Sequence, residues 1–114
     1  MDVLECIASR RSIRSYTDEQ IPEDTLMELI EMGVKAPTGS ALEPWGFVIL
    51  QDREELEALS AKAKETILKN LDTYAYFKQY KNLLEDPKFN IFNNAPTVLV
   101  INGNTASHWY VYDC

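Results

Sequence analysis

Apolar residues fall into short patterned runs separated by turn-forming residues. Behind Asp2, a good N-cap, Val3, Leu4, Ile7 and Ala8 recur at helical spacing and predict a short amphipathic helix that delivers Arg10 and Arg11 at its end. Pro22 followed by Glu23 and Asp24 signals a second helix start, and Leu26, Leu29, Ile30 and Val34 mark its buried stripe. Pro37 ends that helix and Gly39 helps the chain turn. The apolar, β-branched and aromatic run from Trp45 to Leu50, bounded by Pro44 and Asp52, reads as a buried strand.

Asp52 is placed to cap a third helix whose Leu56, Leu59, Ala63 and Ile67 keep one face apolar, with Glu and Lys forming a solvated face. From Asp72 to Leu84 the pattern is helical and aromatic, with Tyr74, Phe77, Tyr80 and Leu84 near one stripe that reads as core packing. Ala95 and Pro96 introduce Thr97–Ile101, a second strand too apolar to be half exposed, followed by an Asn102-Gly103-Asn104 turn. Ser107 to Cys114 reads as the opening of a further helix. Helices around a few separated strands make an α+β or α/β layout in a single domain spanning 1–114. Two strands alone form a marginal sheet, so this one needs further strands or helices packed on it.

Charge narrows the partners. The net charge of −7 disfavours nucleic acid and anionic membrane surfaces. The amino terminus carries acids where a secretory signal would carry bases, and no apolar run approaches the roughly 20 residues that span a bilayer, so the expected location is cytoplasmic. Cys6 and Cys114, far apart and without metal-ligand spacing, are expected to be reduced thiols.

Two segments stand out chemically. Arg10, Arg11 and Arg14 fall close together with Ser12 among them, and no acid lies between Cys6 and Thr17. Guanidinium groups grip phosphate or carboxylate through paired donors, so the cluster is a candidate anion site within an acidic chain. It is equally what a solvated basic helix end looks like, meeting the negative end of the helix dipole for about 0.3–1 kcal/mol. The second segment, Pro37 to Trp45, mixes hydroxyls, a glycine and two prolines between a helix and a strand. Such a loop can offer backbone N–H groups and hydroxyls to a polar ligand, or it can simply stop a helix and start a strand with Trp45 in the core. No nucleophile elbow, triad or paired carboxylates occur; His108 reads as structural or exposed, and Cys6 as a packing residue.

Taken together, these two segments resemble the nitroreductase family. Arg10-Arg11-Ser12-Ile13-Arg14-Ser15-Tyr16 is similar to the family's RRSxRxF element, and Pro37 to Trp45 is similar to its PSxxNxQPW element, one helix further on. Ala95-Pro96 before an apolar strand, and Trp109 to Cys114, resemble its later strand and the opening of its central helix. The resemblance runs over the whole chain and covers about the first half of a family member. It implies a three-layer α/β/α sandwich, stopping before the central dimer helix and later strands, and a homodimer with FMN pockets shared between subunits. Carried over by position, Arg10, Arg11, Ser12 and Arg14 would hold the FMN phosphate and ribityl chain, and Pro37, Thr38, Gly39 and Ser40 would reach the flavin from the partner.

The implied reaction is ping-pong: NAD(P)H gives hydride to the flavin, which then reduces a nitroaromatic or quinone. Two departures, Ala41 in place of Asn and Glu43 in place of Gln, bear on flavin affinity or substrate choice. Because ring contacts would come from beyond Cys114, the chain, if it is the whole protein, is expected to bind FMN weakly or not at all. The competing reading is a non-catalytic module that binds another anion through its arginines or packs with a partner chain.

Overall fold

The two apolar runs pair with each other. In the computed structural model, which describes residues 2–114, β1 (Trp45–Leu50) and β2 (Val98–Gly103) form a two-stranded antiparallel sheet. The register sets Trp45 opposite Gly103 and Leu50 opposite Val98, so one end of the ladder leads into the Pro37–Pro44 loop and the other into Gln51 and Thr97. Gly46 faces Asn102, whose Oδ1 would stand 2.7 Å from a Cβ at that position, so a side chain there would make the Asn102 amide shift.

The helices form largely where their signals lie. Helix α1 (Val3–Ser9) is capped by Asp2, whose Oδ1 accepts from the Glu5 N–H at 2.8 Å. Helix α2 (Glu23–Gly33) follows Pro22 and ends short of Pro37, with the Val34 N–H returning to the carbonyl of Ile30. Helix α3 (Arg53–Lys69) is capped by Asp52 through the Glu55 N–H at 2.8 Å. A 3-10 segment (Ala75–Tyr80) then runs into α4 (Lys81–Glu85), which packs on α3, and α5 (Tyr110–Asp113) lies against β2.

Several expectations are corrected. Asp72–Leu84 is not one helix: a turn and a 3-10 segment precede α4, and only Leu84 of the aromatic stripe is buried, while Tyr74, Tyr76 and Tyr80 stand in solvent. Strand β2 is not buried, since Leu99, Val100 and Ile101 are 38–47% exposed. Leu29 and Leu59 point outward, and on α3 the buried place beside Leu56 goes to Ser60, whose Oγ accepts the Ile91 N–H at 3.0 Å. The apolar side of α1 is wholly exposed.

The buried apolar core is Leu26, Leu56 and Leu84. The accessible surface of 9084 Å² compares with about 6,400 Å² for a closed domain of this mass. The radius of gyration, 17.0 Å, compares with about 13 Å. Both values mark an open arrangement, and Val3, Leu4, Ile7, Leu29 and Ile101 are among the apolar side chains left exposed. No helix of the described residues is long and apolar enough to cross a membrane.

One polar knot ties the amino-terminal segment to the sheet. Gln20 Nε2 donates to the Gln51 carbonyl at 3.0 Å, and Gln51 Nε2 donates to the Ile21 carbonyl at 2.9 Å and to Thr97 Oγ1 at 3.0 Å. The Thr97 hydroxyl donates in turn to Gln20 Oε1 at 3.0 Å, so a single group uses both its hydrogen and a lone pair. Replacing Thr97 with Val should lower stability to urea by about 1 kcal/mol, whereas Thr97→Ser, which keeps both bonds, should lose less than half of that. A larger loss in Thr97→Ser than in Thr97→Val would show that the methyl, not the hydroxyl, matters.

Candidate functional site

The arginine cluster begins where α1 stops. Arg10 is the C-cap residue, in extended backbone geometry, and carries the chain off the helix. Residues 10–16 form no regular element, and Arg10, Arg11, Ser12 and Arg14 are all exposed. Arg11 folds back on the helix end, its guanidinium donating to the carbonyls of Ala8 at 3.2 Å and Arg10 at 2.8 Å, which satisfies groups the last turn leaves open. Arg11 therefore performs the capping duty that the basic helix-end reading describes. Among the described residues Arg10 and Arg14 form neither an ion pair nor a side-chain hydrogen bond, although the chain carries 18 acids. Two exposed cations four positions apart in sequence, without a counter-ion among the described residues, suit a dianionic phosphate.

The second segment is a strained loop. Thr38 is extended, and Gly39–Ala41 close a tight turn through Ala41 N–H to the Thr38 carbonyl at 3.1 Å and Leu42 N–H to the Gly39 carbonyl at 3.3 Å. Its two central residues, Ser40 (φ 55°) and Ala41 (φ 53°), both lie in the left-handed region, the signature of a type I′ turn, which favours Gly, Asn or Asp. Glu43 (φ 45°) is left-handed too, and its N–H donates to Thr38 Oγ1 at 3.2 Å. Three such residues within four positions store on the order of 1 kcal/mol each, a pattern that clusters at ligand clamps and active sites.

Gly39 plays a different part from the one its sequence context suggests. Its φ is not positive, so it does not supply the turn's left-handed geometry. It supplies space: a Cβ there would stand 2.7 Å from Trp109 Cβ and overlap the indole ring. Its N–H donates to both carboxylate oxygens of Asp113, at 3.1 and 3.0 Å. That donor is therefore not free for a ligand. Beside the loop, Leu42, Glu43, Pro44, Trp45, Asn104 and Ser107 line a recess, and the Asn104 N–H closes its floor on the Pro44 carbonyl at 2.7 Å.

Trp45, the alternative core residue, is only half buried, tilted against Phe47 with ring centroids 5.5 Å apart. Sequence reasoning placed Trp109 and Asp113 in a helix opening and Asn104 in an Asn102-Gly103-Asn104 turn, none of them as a site residue; the structure instead continues β2 through Asn102 and Gly103 and turns after Asn104. Shifted ionisations lie on α3 and the segment after it. The Glu65 carboxyl is lowered by its hydrogen bond with Lys69 and Asp72 by that with Lys78, while the bond from Tyr76 raises Tyr80.

The type I′ geometry gives the Asn-for-Ala41 departure a physical meaning, because Asn tolerates the left-handed region that Ala does not. Ala41→Asn should therefore stabilise the chain by about 0.5–1 kcal/mol in thermal or urea unfolding, with Ala41→Gly giving a smaller gain offset by its freedom in the unfolded chain. A loss of stability in Ala41→Asn would contradict the turn assignment.

A Bacteroides fragilis nitroreductase crystallised with bound FMN superposes on all of this chain and 58% of its own, with a TM-score of 0.84 and 31% identity. An FMN-dependent nitroreductase from Clostridium difficile matches 96% of this chain and 48% of its own, with a TM-score of 0.74 and 32% identity. A protein of Methanothermobacter thermautotrophicus is 39% identical over 59 residues, 52% of this chain and 31% of its own length. The chain thus spans about half the length of the solved structures it resembles and aligns with about a third of that curated relative. The mixed helix-and-sheet arrangement is that of these nitroreductase-fold neighbours, and FMN is the cofactor named for the first two. Because the nitroreductase family model matches residues 7–113, nearly the entire sequence, the chain belongs to the nitroreductase family.

Proposed function

We propose that this chain forms the cofactor-phosphate side of an FMN-dependent oxidoreductase that passes hydride from NAD(P)H through flavin to a nitroaromatic or quinone acceptor. The observation that carries the reading is the pair Arg10 and Arg14, two cations without a counter-ion among the described residues of a chain of net charge −7. FMN, when bound, supplies the two-electron chemistry, taking hydride from NAD(P)H and releasing two electrons and a proton to the acceptor, with solvent providing the second proton. The donor set fits the phosphate of that cofactor. Arg10 and Arg14 would neutralise the dianion, Arg11 would keep the segment against the helix end, and the Ser12 hydroxyl would donate to a phosphate or ribityl oxygen. Pro37, Thr38, Gly39 and Ser40 would set the loop against the flavin, with Gly39 acting through space and through its bond to Asp113 rather than as a free donor.

The placement of the two segments supports a pocket shared between two subunits. The arginine segment is tied to the sheet through Gln20 at the Leu50–Val98 end, while the loop leaves the Trp45–Gly103 end. Six-residue strands put those ends about 17 Å apart, so the two segments are anchored at opposite ends of the ladder. A partner supplying the loop brings the two together. The uncovered surface, about 2,700 Å² beyond that of a closed domain, is of the size that permanent subunit interfaces bury. A cytoplasmic homodimer processing a small molecule fits these features.

Flavin titration followed by fluorescence quenching tests the phosphate assignment. Arg10→Ala and Arg14→Ala should each weaken FMN binding by about tenfold or more, with Arg11→Ala weakening it less, and affinity should fall as salt rises. Riboflavin, which lacks the phosphate, should bind the variants and the unaltered protein alike. FMN binding no tighter than riboflavin binding would sink the proposal. NAD(P)H oxidation with a nitroaromatic and with a quinone would then identify the acceptor class.

A further inference from the structure

Helix α5 and its N-cap Trp109 are seated closely at two glycines. At Gly103 a Cβ would stand 2.8 Å from Tyr110 Cδ2 and 3.0 Å from Cys114 Sγ; at Gly39 it would overlap the Trp109 indole. Trp109 and Asp113 are four residues apart, joined by the Asp113 N–H to the Trp109 carbonyl at 3.0 Å. They hold Gly39 from two directions: the indole covers its α-carbon, and the carboxylate takes its N–H through both oxygens. Immediately after Gly39 come Ser40 and Ala41, in a conformation that neither residue type favours. Strain of this kind persists only where the surroundings over-determine it, and Asp113 is the side chain that fixes the turn's first residue.

We propose that Asp113 is a positioning residue for the Pro37–Glu43 loop, locking Gly39 so that the left-handed turn at Ser40 and Ala41 is held ready for the flavin. The role rests on the reading that this loop meets the cofactor. It assigns the loop's shape to a carboxylate far along the chain, and it makes glycine necessary at 39 for reasons of space. The lock does not touch the phosphate, so its loss has a different signature from the loss of an arginine.

The test uses the full chain with Asp113→Ala, Asp113→Asn and Gly39→Ala variants. In ¹H–¹⁵N spectra, Asp113→Ala should move the Gly39 amide proton upfield and speed exchange of the Ala41 and Leu42 amides by about tenfold. Asp113→Asn, which keeps one acceptor oxygen, should restore most of the protection. Gly39→Ala should displace Trp109 and change its indole fluorescence, with Trp45→Phe as the background. In flavin titrations at a temperature where all variants are folded, Asp113→Ala should weaken FMN and riboflavin by the same factor, about fivefold to tenfold. Arg10→Ala should weaken FMN alone. Unchanged Gly39, Ala41 and Leu42 amides in Asp113→Ala would overturn the lock. Altered amides with unchanged flavin affinity would reduce Asp113 to a structural contact and overturn the positioning role. Failure of the unaltered protein to bind either flavin would instead overturn the functional reading, leaving the amide result to decide the lock.

Discussion

The pairing of β1 with β2 is the constraint on which everything else hangs. One register, Trp45 on Gly103 through Leu50 on Val98, fixes where four separate stretches of chain end up. At one end it brings Gln51 beside Thr97, and these two receive Gln20 and Ile21, tethering the segment that carries the arginines. At the other it brings Pro44 beside Asn104 and places α5 over Gly103, where Asp113 reaches Gly39. A slip of one residue would turn every strand side chain to the opposite face and undo both ends together.

That ladder is sparingly supported. Three leucines make up the buried apolar core, and much of β2 and all of α1 remain in contact with solvent. Hydrophobic burial therefore does less here than in a closed domain, and specific polar closures do more: the Gln20–Gln51–Thr97 knot, Ser60 on Ile91, and Lys64 on the carbonyls of Asp86 and Phe89 at 2.9 and 2.6 Å. Such bonds fix geometry but contribute about 1 kcal/mol each, so the exposed apolar faces matter to how the protein is completed.

The two parts of the candidate site are built on different physics. The arginine segment is open and electrostatic: its side chains are free to adapt, and only Arg11 is committed, to the helix it terminates. The loop is the reverse, rigid and strained, with three left-handed residues kept in place by bonds at Thr38, Gly39 and Pro44. On the proposed reading, an adaptable anion grip from one subunit and a preorganised wall from the other would hold a cofactor with a charged tail and a flat ring, the wall's ordering cost being met in folding rather than in binding.

Local signals in the sequence determined most of the element order. Asp2 and Asp52 cap the helices they precede, Pro22 starts the second, and two apolar runs become the two strands, because capping, proline geometry and strand propensity act over a few residues. The arginine cluster and the Pro37–Trp45 loop were legible as candidate chemistry for the same reason, and their order along the chain carried the family. Burial was not legible in this way. Apolar composition showed which residues could be buried, but Leu99 to Ile101, the α1 stripe and the Tyr74–Tyr80 segment are exposed because no element of this chain is positioned to cover them. The work of Gly39 and Asp113 was equally hidden, since it depends on a contact across 74 positions that exists only once β1 and β2 have paired and α5 is seated on Gly103. Short-range preferences are written into neighbouring residues, whereas covering a face and closing a long-range hydrogen bond depend on where the whole chain has gone.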